Sequence, residues 1–291
     1  MTASLKGISY MCIGVLFLAL GDAVSKWLGE VHSPLEIVFF RTLMALPMIA
    51  LLAHFGGGLR TLGTRRPGVH LLRGLIYTGT MGFFVLGLTL LPLAEATAIA
   101  FVAPLFVTLL SVPLLGERIA KPVMAASLLG FIGVVIVVRP GGDAFNAGAL
   151  SMVAAAVCYA LTMITARRYG GRENFWALVF YISLIPMLLT ALTLPWVWQT
   201  PEPAHWLGFL AAGVFGVGAT GFITLAFRYA PAAIAAPFDY TALLWAVLLG
   251  WWFWDELPDV WVLAGSVLII SSGLAIAYYD RRTTLNRRPS T

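Results

Sequence analysis

The feature that most limits this chain is the length and evenness of its apolar runs. Residues 122–138, for example, hold no ionisable side chain. About 20 apolar residues let an α-helix cross a bilayer, whereas a transmembrane strand alternates apolar and polar residues over about 10. Continuous runs therefore predict helices. Asp, Glu, Lys and Arg make up only 11% of the 291 residues, against about 25% in soluble domains. Mean hydropathy is +0.91. That is too little charge to clothe an aqueous surface, so a soluble globular fold is excluded. Ten spans fit the chain, near residues 5–28, 34–55, 69–91, 94–113, 121–138, 147–167, 174–194, 204–226, 233–254 and 259–279. The expected fold is all-α and integral to the lipid bilayer.

Charge placement orients these spans. With a cytoplasmic N-terminus, one side collects Lys6, Arg60, Arg65, Arg66, Arg73, Arg118, Lys121, Arg167, Arg168, Arg172, Arg228 and the four arginines of the tail, 281–288. The other side has Lys26 and Arg139, while Arg41 falls within a span. This asymmetry is the positive-inside pattern, and it predicts both termini on the cytoplasmic side of a cell (inner) membrane. The computed pI near 9.4 thus reports orientation, and nucleic acid is not an expected partner. Trp27, Trp196, Trp198, Trp206, Trp251, Trp252, Trp254 and Trp261 all fall at the outer ends of spans, where an aromatic belt forms. Cys12 and Cys158 lie within spans and act as small apolar residues. Ala19-Leu20-Gly21 imitates a signal-peptide cleavage site, but the repeat described next needs the first helix retained.

The two halves of the chain resemble each other at an offset near 140. Lys26 falls opposite Arg167, Pro47 opposite Pro186, and Gly116-Glu117 opposite Asp255-Glu256. The third and eighth spans share a stripe of small residues at every fourth position: Gly74, Thr78, Gly82 and Gly208, Ala212, Gly216, Thr220. Such residues share one helix face and permit close backbone approach in lipid. A repeat of five spans is odd, so its second copy (residues 141–291, ending in a short basic cytoplasmic tail) inserts upside down relative to the first (1–140). Inverted repeats of this kind are a recurring plan of secondary transporters, with the substrate near the midplane.

These features resemble the drug/metabolite transporter superfamily, in particular its EamA-type ten-helix members, and among those the YddG-type amino acid exporters. The likeness is carried by Ser33-Pro34 with Phe40-Arg41, by Leu91-Pro92-Leu93-Ala94-Glu95-Ala96, by Ala103-Pro104, by Leu115-Gly116-Glu117-Arg118, and by Gly130 with Gly133. In the second half it rests on Tyr229-Ala230-Pro231, Ala236-Pro237-Phe238-Asp239-Tyr240, Asp255-Glu256, and Gly265 with Gly273. The resemblance implies transport through a central cavity and no cofactor. Repeat 2 departs from repeat 1 in having Phe180 and Tyr181 where Arg41 and Thr42 stand.

Ionisable groups inside a span are costly and ask for a reason. Asp22 and Arg41 lie at nearly equal depth in the first two spans. They form either a structural ion pair, which Lys26 joins, or a coupling and substrate site. Asp239 lies six residues into the ninth span with Arg228 nearby, and its pathway and structural roles are equally open. Glu95 suits the positive N-terminal end of the fourth helix. Glu117 and Glu256 suit caps on their turns. Pro104 and Pro237 deprive the carbonyls of Ala100 and Ala233 of their usual helical partners. Near the midplane stand Tyr77, Met81, Phe101, Tyr159, Phe215 and Trp245, which with Tyr240 are the candidates to line a substrate pocket. Each is also explained by packing or by contact with lipid.

No enzyme motif survives its context. Gly216-Val217-Gly218-Ala219-Thr220-Gly221 matches a dinucleotide fingerprint but lies inside an apolar span. His32, His54, His70 and His205 show no metal-ligand spacing. No catalytic residue, metal or cofactor is expected. The function expected is export of small metabolites by alternating access, with amino acids as the first substrate class (large neutral or aromatic ones, threonine, methionine). Uptake of a vitamin or other planar metabolite is the alternative, and a membrane-embedded enzyme the alternative from another class. Sequence does not separate a monomer from a homodimer.

Overall fold

The computed structural model describes residues 3–116, 120–139, 146–169, 173–230 and 235–286, and their regular structure is helical throughout. In chain order the first half contains α1 (Ala3–Leu28), α2 (Pro34–Phe55), a 3-10 turn (Leu59–Leu62), α3 (Pro67–Leu90), α4 (Leu93–Ala100), α5 (Ala103–Leu115) and α6 (Lys121–Val138). The second half contains α7 (Ala147–Tyr169), α8 (Phe175–Ala191), the short α9 (Leu194–Val197), α10 (Pro203–Tyr229), a 3-10 turn (Ala236–Tyr240), α11 (Thr241–Trp254) and α12 (Val260–Asn286). Starts follow local chemistry. The Ser33 hydroxyl accepts the Glu36 amide at 3.2 Å ahead of α2, and Asn174 accepts the Trp176 amide at 2.9 Å ahead of α8.

Seven helical stretches among the described residues are long and apolar enough to span a membrane, from Leu5–Leu28 to Pro203–Tyr229, and Phe175–Ala191 and Val260–Ile276 are shorter ones. The ten-span plan is completed by the second 3-10 turn running on into α11. Large apolar side chains such as Leu128, Phe131, Leu207 and Val267 remain exposed on the outside of the bundle. Lipid, not water, is the solvent that suits them.

Helix packing has the exchange symmetry of a duplicated unit. The pair α1–α10 is matched by α7–α3, α2–α10 by α8–α3, and α1–α11 by α7 against α4 and α5. The pairs α2–α8 and α6–α12 each match themselves. A Cβ on Gly79 of α3 would meet Cys158 of α7, and one on Gly218 of α10 would meet Phe17 of α1. Gly79 and Gly218 are therefore equivalent, at an offset of 139, and Gly74 corresponds to Gly213, whose neighbour is Met44. The small-residue stripes of the third and eighth spans therefore do not superpose residue for residue: Gly74 falls on Gly213 and Gly82 on Gly221, at the same offset of 139 that relates Pro47 to Pro186.

Two expected helices are broken. The fourth span is α4 and α5 with a turn at Phe101-Val102, and the ninth begins as a 3-10 turn ending at Tyr240. At the first, Pro104 near the start of α5 denies an amide to the preceding turn, whereas Pro237 stands at the start of the 3-10 turn itself. Ala233, whose carbonyl Pro237 is expected to free, lies outside the described residues, as does Glu117. α5 and α11 then end alike, on left-handed C-caps at Gly116 (φ 71°) and Asp255 (φ 54°), again 139 residues apart.

One end of the bundle gathers the end of α1, the starts of α2 and α4 and the loop from α11 to α12. There Lys26 Nζ donates to the Leu91 carbonyl at 2.6 Å and to Glu256 at 2.8 and 3.0 Å. Glu256 also accepts the Leu93 amide at 3.0 Å. Glu256 therefore caps α4, in another repeat, and Lys26 is committed to it rather than to Asp22. Arg139 pairs with Asp259, and Trp254 donates its indole N–H to Glu30 at 2.7 Å. At the same end a buried carboxylate, Glu36, receives the Gln199 amide at 3.2 Å and orients His32, whose other ring nitrogen meets His205 at 3.0 Å. The opposite end carries His70 against Glu173 at 3.2 Å, with Thr64 donating to the same oxygen at 2.9 Å.

Candidate functional site

The interior between these two ends is where the intramembrane charges meet. Asp22 on α1 is 8% exposed, and its Oδ1 has no hydrogen-bond partner. Arg41 on α2 donates to Ser25 Oγ at 3.4 Å, and the Ser25 hydroxyl in turn donates to the Gly21 carbonyl at 2.7 Å. Asp22 and Arg41 interact electrostatically without closing an ion pair. The guanidinium is instead held beside the backbone of two glycines: a Cβ on Gly216 would lie 3.5 Å from it and one on Gly21 4.0 Å. Gly216 and Gly218 of the false dinucleotide motif thus have packing roles, making room for Arg41 and for Phe17.

Tyr77 on α3 lies within electrostatic reach of both Arg41 and Asp22. Tyr159 on α7, 41% exposed, is within reach of Tyr77 and of Asp239. Asp239 and Tyr240 sit together in the 3-10 turn, and Arg228, exposed at the end of α10, makes no ion pair with Asp239. Phe101 packs against Tyr240 with ring centroids 5.1 Å apart and ring planes tilted by 45°. Phe215 on α10 packs edge-on against Phe17 and lies beside Gly21, next to the Arg41 slot. Tertiary structure therefore collects Asp22, Arg41, Tyr77, Tyr159, Asp239, Tyr240, Phe101 and Phe215 around one interior region. Met81 packs instead with Leu28, Ile37 and Val85, and Trp245 packs with Met11, Val15 and Ala226. Both are partly buried, and Phe101 packs on the same cluster as Trp245.

Sequence reasoning passed over three polar residues inside the bundle, two of them in this region. Thr97 on the broken α4 lines, with Asp22, Ala19, Leu93, Ala242 and Ala246, a void of about 10 Å³, about the space of one water. Ser25 is three residues beyond Asp22 on the same helix face, a spacing that was available as a signal. The third is Arg73, assigned by its charge to the cytoplasmic rim. It lies six residues inside α3 and is only 5% exposed. Glu95, in the first turn of α4 as expected, is buried with Oε1 unpartnered and has Arg139 and Asp259 within electrostatic reach.

Chemically, the region offers a guanidinium for a carboxylate, two carboxylates for an ammonium or other cation, and aromatic faces for a planar or apolar remainder. Comparison with known proteins identifies the family. The sequence profile of the EamA-like transporter family matches twice, over residues 5–139 and 146–278. The chain is 31% identical over 290 residues to an S-adenosylmethionine uptake transporter of Rickettsia conorii, covering 98% of this chain and 96% of that protein. It is 30% identical to the pseudopaline exporter CntI of Pseudomonas aeruginosa (94% and 96% covered) and 28% identical to a riboflavin transporter of Rhizobium johnstonii (98% and 94%). A solved crystal structure shares the fold with a TM-score of 0.64 at 24% identity, covering 94% of this chain and 98% of that one.

Proposed function

Since this chain belongs to the EamA-like transporter family, and is a membrane transporter rather than an enzyme, we propose that its substrates are small metabolites carrying an α-amino-acid group. Arg41 takes the carboxylate, Asp22 and Asp239 face the ammonium or a second cationic centre, and Tyr77, Tyr159, Phe101 and Tyr240 hold the side chain. The observation that carries this reading is the unpaired juxtaposition of Asp22 and Arg41: opposite charges in one interior region, neither neutralised by the other. Buried charges need partners, and a zwitterion answers both at once.

Free amino acids are the first substrate class, with export as the working direction. S-adenosylmethionine satisfies the same groups, since it joins an amino-acid head to a sulfonium and a planar base. Its place here is favoured by the likeness to S-adenosylmethionine transporters. The two five-helix units, 1–140 and 141–291, exchange conformations to open the site alternately to each side. Both termini face the cytoplasm of an inner membrane, as the lysine and arginine placement requires.

Purified protein in liposomes is expected to accelerate counterflow of labelled threonine, methionine, phenylalanine or S-adenosylmethionine without ATP, and Arg41→Met to abolish it. The carboxylate assignment fails if decarboxylated analogues are carried as well as their parents. The substrate class fails if none of the four moves.

A further inference from the structure

We propose that Arg73 is a second anion-binding residue of the pathway, receiving the substrate carboxylate on the opposite side of Tyr77 from Arg41. This rests on the reading that the substrate carries a carboxylate.

Arg73 is a buried cation that the protein leaves unanswered. Its Nε and Nη1 are sealed from solvent and have no hydrogen-bond partner, and among the described residues no carboxylate forms an ion pair with it. Lys26, by contrast, is engaged by Glu256 and the Leu91 carbonyl, Arg139 by Asp259 and Arg41 by Ser25. A structural arginine is retained for the groups it bridges, and Arg73 bridges none. A buried guanidinium without an anion is costly, so its role is to meet one that comes and goes.

Its placement says which anion. Arg73, Tyr77, Thr80 and Phe84 follow one another at intervals of four, three and four along α3 and so share a face. Phe84 packs on the largest core cluster and Thr80 is buried. Gly74 and His70 meet α8 and its preceding loop, while Gly79, Phe83 and Gly87 meet α7. The Arg73–Tyr77 face therefore points between α7 and α8 into the interior, and not toward lipid. Arg41 is seven residues beyond Pro34, the first residue of α2, and Arg73 six beyond Pro67, the first of α3. These helices start at opposite ends of the bundle. At 1.5 Å per residue the backbones at Arg41 and Arg73 lie about 10 Å and about 9 Å from opposite ends of the bundle, with the backbone of Tyr77 at a depth between them. The absence of an arginine at Phe180 in the second repeat is thereby made good from α3, giving each face one carboxylate station.

The test uses full-length protein and paired probes: S-adenosylmethionine with its decarboxylated form, and phenylalanine with phenethylamine. Without ligand, Arg73→Met is expected to melt no lower than wild type, because the arginine holds nothing. The thermal shift produced by each carboxylate probe should fall, while the shift from its decarboxylated partner stays. In liposomes of known sidedness, Arg73→Met should raise KM roughly tenfold to a hundredfold for carboxylate substrates entering from the Glu173 end. Entry from the Lys26 end should change little, Arg41→Met should show the reverse, and Arg73→Lys should recover part of the loss. A lowered melting temperature with unchanged KM would make Arg73 structural and overturn the proposal. So would equal loss of carboxylate and decarboxylated probes, or unchanged KM from both ends. If wild type itself fails to distinguish the members of each pair, the carboxylate reading falls first, and the melting result alone reports on Arg73.

Discussion

Phe101 and Tyr240 pack ring against ring, tilted by 45°, and they are the same position in the two repeats, 139 residues apart. Each stands at the joint where a spanning helix is broken: Phe101 between α4 and α5, Tyr240 at the passage from the 3-10 turn into α11. A contact between equivalent residues has to lie on the axis relating the repeats. The two broken helices therefore meet at the centre of the bundle, beside Asp239.

Tyr240 is also wedged against α12. A Cβ placed on Gly273 would fall 1.4 Å from the Tyr240 hydroxyl oxygen, so the ring occupies the space that glycine leaves. Gly273→Ala is expected to lower stability by about 1–3 kcal/mol through overpacking. Gly221→Ala on α10, where an added Cβ meets nothing within 4 Å, should be neutral or stabilising by about 0.5–1 kcal/mol, as alanine is the better helix former. Melting temperatures in detergent check both.

The clamp of Lys26 and Glu256 should behave as a coupled unit. Glu256→Ala strands a buried ammonium and uncaps the Leu93 amide, at a cost of about 2–4 kcal/mol. The double variant Lys26→Met, Glu256→Leu is expected to recover part of that loss. A double-mutant cycle on thermal stability measures the coupling.

Glu36 is fully buried and ties the start of α2 both to His32 and to the chain ahead of α10. Glu36→Ala should cost about 2–3 kcal/mol, since it leaves buried donors unpaired. His205→Ala, at the more exposed end of the same chain of contacts, should cost less. Denaturation of the two variants side by side gives the order.

Acid sensitivity should appear at Glu173, in the loop before α8. The hydrogen bond from His70, with a second from Thr64, holds its carboxyl below the ordinary value of 4.5. A carboxyl depressed by folding stabilises the protein above its ordinary pKa, and that contribution is lost as pH falls through the lowered value. Relative to Glu173→Gln, wild type is expected to melt higher at pH 6, with the difference disappearing progressively below about pH 4.5. His70→Ala should shrink the difference across the whole range.

Much of this arrangement was legible in the sequence, because the bilayer leaves a chain few options. Backbone groups without water must bond within helices, so apolar runs become spans and charges move to their ends. Asp22, Arg41 and Asp239 were legible for the same reason, as exceptions to that rule. What misled was local ambiguity. Lys26 is four residues from Asp22, as a helical pair needs, yet its partner is Glu256, 230 residues away. Arg73 counted as a rim charge, because sequence reports a helix start only to within a turn.

The sequence by itself determined the membrane, the ten spans, the inverted duplication and which residues carry charge into the interior. All of these follow from hydropathy and chain order. Tertiary structure alone decided the breaks at Phe101 and Tyr240, the company of Asp22 and Arg41, and the isolation of Arg73. Each of these depends on which side chain of another helix fills the neighbouring space, and that is a property of packing that no periodicity along one helix contains.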